Sequence, residues 1–96
     1  MSAPSGMGGG DGDEALPRVD FATFILSLSH SALMHLGEAP NPETNAIEKD
    51  LPLARQTIDL IGMLEEKTKG NLTGDEERLL GQILYDLRMR FVEKSK

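Results

Sequence analysis

The chain has no cysteine and no tryptophan, and only one tyrosine and three phenylalanines among its 96 residues. Without cysteine there is no disulfide and no thiolate metal site, an absence that fits a reducing compartment. Without tryptophan the core has to be assembled from Leu, Ile, Met and Phe. Bases are also short: Lys and Arg number 10 against 16 Asp and Glu, a net charge of −6. An acidic chain with no basic stripe is a poor match for nucleic acid, and none is expected as a partner. The longest apolar run, Phe21–Leu36, has about sixteen residues and contains two His and three Ser. A membrane span needs ~20 mostly apolar residues. The N-terminus lacks the basic start and apolar stretch of a secretory signal. These absences point to a soluble, cytoplasmic protein.

What is present is unevenly spread. Residues 1–50 hold eight acids and two bases, and residues 51–96 hold eight of each, so the whole charge imbalance sits in the first half. Residues 1–18 open with MSAPSGMGGG and continue through DGDE. Gly, Pro, Ser and acids bury too little apolar surface to offset the entropy of ordering, so a disordered tail is predicted there. Residues 19–96 then form one helical domain of about 78 residues, near the size at which a lone core is marginal. The basic C-terminus (Arg88, Arg90, Lys94, Lys96) complements the negative end of a helix dipole.

The segment around which the rest is organised is Phe21–Gly37, FATFILSLSHSALMHLG. At about 100° per residue, Phe21, Phe24, Ile25, Leu28, Ala32 and Leu36 fall on one side of a helix. Ala22, Leu26 and Leu33 widen the apolar arc to roughly 200°, beyond the ~100° of an ordinary surface helix. Asp20 stands where an N-cap belongs, and Gly37 where a left-handed end belongs. A helix is therefore predicted over about 20–36. Glu38–Asp50, with Pro40 and Pro42, reads as a long connecting strap. Asp50 caps a second helix, over about 51–69, with Pro52 in its first turn and an amphipathic face that includes Leu51, Leu53, Ala54, Ile58, Leu60, Ile61 and Leu64. Glu65 and Lys69 are spaced as an i,i+4 pair, and Gly62 implies close approach by another helix. Gly70-Asn71 stops the second helix. Thr73 and Glu76 form a capping box that starts a third, over about 74–93. Its main stripe is Leu80, Ile83, Leu84, Leu87 and Phe91. The short Gly70–Thr73 link makes the second and third helices an antiparallel hairpin.

A hairpin offers one groove. The first helix lays Phe21, Phe24, Ile25, Leu28 and Leu36 into it, which leaves Ala22, Leu26 and Leu33 facing away with Ser29 between them. Tyr85, Met89 and Val92, spaced four and three, form a further ridge on the third helix. Surplus apolar surface on a small domain predicts self-association, most simply as a two-fold homodimer with the first helix near the axis. The expected interface is Ala22, Leu26, Ser29, Leu33, Tyr85, Met89 and Val92. The fold class predicted is all-α, three helices assembling into a helical-bundle homodimer.

Candidate chemistry is thin. His30 and His35, five apart, point about 140° away from each other on a helix. His30 and Met34, four apart, offer a soft metal two ligands, and zinc wants three or four. Ser27, Ser29 and Ser31 flank His30 on the same helix, which is not the convergent geometry of a nucleophilic triad. GMGGGDG lacks the Lys-Ser/Thr ending of a phosphate loop. Glu65-Glu66 and Asp75-Glu76-Glu77 read as a solvated face and a helix start. No catalytic residue, metal or cofactor is assigned. The leading function is a non-enzymatic interaction module, with itself and an unidentified protein as partners. One alternative is a ligand-binding protein or enzyme whose site forms between subunits near His35 and the Glu38–Asp50 loop. Another is a peripheral membrane protein using the first helix, although that helix lacks the Lys/Arg-rich face such helices show.

The stretches FATFILSLSHSALMHLGE, NPET, QTIDLIGMLEEKTKGNLT (Gln56–Thr73) and LYDLRMRFVE (Leu84–Glu93) carry a resemblance over about residues 20–93. The chain resembles a small bacterial family, domain of unknown function eighteen forty-four. The resemblance implies a stand-alone, cytosolic helical protein and assigns no catalytic residue.

Overall fold

The computed structural model describes residues 20–96; the tail expected over residues 1–18 lies outside them. The described residues form three helices, α1 (Phe21–His35), α2 (Leu51–Lys67) and α3 (Gly74–Lys94), and no strand. The predicted starts are all in place. Asp20 Oδ1 accepts the Thr23 N–H at 2.8 Å, and Asp50 Oδ1 accepts the Leu53 N–H at 3.1 Å. At α3 the Thr73 hydroxyl accepts the Glu76 N–H at 3.1 Å, and the Glu76 carboxylate accepts the Thr73 N–H at 2.9 Å. Each bond satisfies a backbone donor that the first turn of a helix leaves open.

The end of α1 follows from glycine. Gly37 has φ +81°; its N–H donates to the Met34 carbonyl at 3.0 Å, and the Glu38 N–H donates to Leu33 at 2.9 Å. This pair of bonds is a Schellman motif, which needs a left-handed residue and so favours glycine. Gly70, at φ +85°, follows α2. That helix leaves helical geometry at Thr68, whose φ is −101°. Lys69 therefore lies past the end, and the Glu65–Lys69 pair expected from spacing is not among the ion pairs of the described residues.

Each helix contributes one stripe to the core. α1 supplies Ile25 and Ala32, with Leu36 just after it, α2 supplies Ala54, Ile58 and Ile61, and α3 supplies Leu80, Leu84 and Leu87. No polar or charged residue is buried among the described residues. Phe24, expected in the groove, is instead 44% exposed. It stands about 100° around α1 from Ile25, at the edge of the buried stripe, and the small Ala32 sits in the core.

The three helices all touch one another. The Asp50 N–H donates to the His35 carbonyl at 2.7 Å, which brings the start of α2 against the end of α1. Glu38, just past α1, takes a hydrogen bond from Arg90 at 3.1 Å and pairs with Lys94 at 3.1 Å near the end of α3. So α1 and α3 finish at the same end, and α2 runs against both. The connecting loop is closed by its own bonds: Glu48 accepts from Asn41 at 3.1 Å and from Thr44 at 3.2 Å.

Candidate interaction surface

The most exposed large apolar side chains of α3 are Tyr85 at 69%, Val92 at 55% and Met89 at 52%. They fall on one stripe, about 130–140° around the helix from the buried leucines. Two contacts fix which way the stripe faces. Arg90 and Lys94 reach Glu38, so they mark the side of α3 toward the end of α1. Arg88 marks the side toward α2, because a Cβ added to Gly62 would sit 3.0 Å from its guanidinium nitrogen. The Tyr85–Val92 ridge is about 70° from Arg88 and about 130° from Arg90, so it lies toward α2 and away from α1. Beside it, Arg55, Ile58 and Asp59 of α2 and Arg88, Phe91 and Val92 of α3 line a shallow groove. Gly62 thus accommodates a guanidinium rather than a helix backbone.

The α1 residues expected at the interface do not join this ridge. Leu26 is 52% exposed. Ala22 and Ser29 are half-buried. Leu33, expected to face away, is half-buried and packs against the chain's own core. Its position, about 80° from Ile25 on the wheel, puts it at the flank of the buried stripe rather than behind it.

A second apolar surface was not apparent from the periodicity. Leu53, Leu60 and Met63 of α2 are exposed, as is Phe24 of α1. Leu60 and Met63 border a depression that also includes Gln56, Thr57 and Asp59. Leu53 and Leu60 are seven apart and share one side of α2, a spacing that reads equally well as core. Their stripe lies about 100° from Ile61, too far round to be covered.

A model for a domain of unknown function, DUF1844, matches residues 18–93, a span that contains α1, α2 and nearly all of α3. The chain belongs to the DUF1844 family. Neither a curated protein nor a solved structure matches it. The DUF1844 description carries no activity and so gives no residue a role.

In this DUF1844 chain, His30 is exposed on α1 and His35 is half-buried at its end. The loop proposed to build a site with His35 already spends Glu38 on Arg90 and Lys94. Neither the α2–α3 groove, nor the depression around Leu60, nor one between Glu65, Leu72 and Glu77 near the hairpin turn, includes His35. Among the described residues no three of His, Asp and Glu are placed to hold a metal ion. No described helix is long and apolar enough to cross a membrane.

Proposed function

We propose that this DUF1844 protein is a non-enzymatic helical interaction module of the cytoplasm that works as a homodimer. The observation that carries the reading is the Tyr85–Met89–Val92 ridge, three large apolar side chains each more than half exposed on one face of α3. Exposed apolar residues are ordinary when scattered. Three on consecutive turns of one stripe make a patch of the kind that marks contact surfaces. Gly81 extends the same stripe. A Cβ there would meet nothing within 4 Å. Packing inside the chain therefore does not require this glycine, although it weakens a helix interior by about 1 kcal/mol against Ala. The exposed Leu53, Leu60 and Met63 of α2 stay outside an α3 contact and are offered to a further protein partner.

Sedimentation velocity at micromolar concentration tests the reading. The parent protein is expected to run as a dimer, and the double substitution Tyr85→Ser/Met89→Ser as a folded monomer with unchanged far-UV circular dichroism. A parent that runs as a single 10.5 kDa species overturns it.

A further inference from the structure

We infer that two copies pair through α3 in parallel, about a two-fold axis running along the helix, with Arg88 of each copy reaching Glu93 of the other. This rests on the self-association proposed above and specifies its geometry and its partner chemistry: a second copy of the same helix in the same direction.

The ridge has the spacing of a helix–helix seam. Gln82, Tyr85, Met89 and Val92 are separated by three, four and three residues, the a and d positions of a heptad. The two flanks of that seam carry opposite charge. Arg88 lies on the α2 side, at a g position, and Asp86 and Glu93 lie on the other side, at e positions. Parallel and antiparallel two-folds treat those flanks differently. In a parallel pair, the flank of one helix meets the opposite flank of its mate, and a g residue faces the e residue five further on. Arg88 then faces Glu93, twice by symmetry. In an antiparallel pair like meets like, so Arg88 lies along its mate's Arg88 flank while Asp86 and Glu93 crowd the mate's acids. Each such pair is weak alone, and the choice of direction comes from attraction in one arrangement against repulsion in the other.

The ion pairs within one chain leave these groups available. Among the described residues Arg88 has no acidic partner. Its guanidinium lies across Gly62, in the groove that Asp59 also lines, but the ion pair Asp59 makes is with Arg55, at 3.9 Å. Glu93 has only Lys96, at 3.4 Å, and both side chains are largely exposed. Asp86, by contrast, is already held by Arg90 at 2.8 Å. Gly81 occupies the g position one heptad before Arg88, so nothing there repels or obstructs an approaching helix.

The absence of cysteine makes the test clean. Gln82→Cys and Val92→Cys are made as separate variants of the full chain, and sedimentation in reductant first establishes that each still pairs. Under mild oxidation both are expected to form a disulfide to the same residue of the other copy. The two sites are about 15 Å apart along the helix, and a disulfide needs Cα atoms within ~7 Å, so an antiparallel pair can satisfy at most one of them. Arg88→Glu is expected to weaken dimerisation about tenfold, and Arg88→Glu/Glu93→Arg to restore it. Should a cysteine variant cease to pair in reductant, the charge swap decides. A dimer that cross-links at one position or neither, or that is indifferent to the charge swap, overturns the parallel geometry alone. A monomeric parent overturns the self-association on which it rests.

Discussion

Leu84 is almost wholly buried, between Leu80 and Leu87 on the inner stripe of α3. Removing such a side chain forfeits its transfer free energy and leaves a cavity, so Leu84→Ala is expected to cost about 2–5 kcal/mol. Urea denaturation followed by circular dichroism measures it; a change below 1 kcal/mol would mean the three-helix core is not as described. Asp20 gives a pH-dependent counterpart. The Thr23 backbone N–H, and secondarily the Thr23 side chain, hold its carboxyl below the usual range. A carboxyl lowered on folding contributes stability that is present above its unfolded pKa, about 3.9, and lost as pH falls through the folded value. Asp20→Asn keeps a capping acceptor without the titration. The variant should therefore lose less stability than the parent on acidification below about pH 4. Equal losses in both would show that the cap does not titrate.

At the level of elements, the helix starts were the most legible feature, because Asp20, Asp50 and Thr73–Glu76 act through bonds spanning three residues. Thr73→Ala should cost about 1 kcal/mol, since it removes the acceptor for the Glu76 N–H. Thermal unfolding checks this, and Thr73→Ser should recover most of the loss. Features set by tertiary packing were less legible. Leu33 lies at the margin of its stripe, where the wheel alone does not decide between core and solvent. The spacing predicts a helical Lys69, yet the chain leaves the helix at Thr68. The Glu38 contact with Arg90 joins residues 52 apart, and no local pattern announces it. With Lys94 it ties the turn after α1 to α3. Because the groups are partly exposed, Glu38→Gln is expected to cost only about 0.5–1 kcal/mol, less in high salt. The candidate surface was half legible. The four-and-three spacing picked out Tyr85, Met89 and Val92, whereas the exposed Leu53 and Leu60 were hidden by a spacing that serves core and surface alike.

For the whole molecule, three stripes meeting at one core account for the fold, but they leave α3 apolar on its far side as well. That surplus is the surface on which the proposed self-association rests. A short helix pair can join two small bundles without rearranging either, because none of Tyr85, Met89 and Val92 belongs to the buried core. The most direct test is sedimentation velocity of the parent beside Tyr85→Ser/Met89→Ser at the same micromolar concentration. The parent is expected to run as a dimer and the double variant as a folded monomer. Two identical monomers would contradict this, and so would two identical dimers, which would place the contact elsewhere on the molecule.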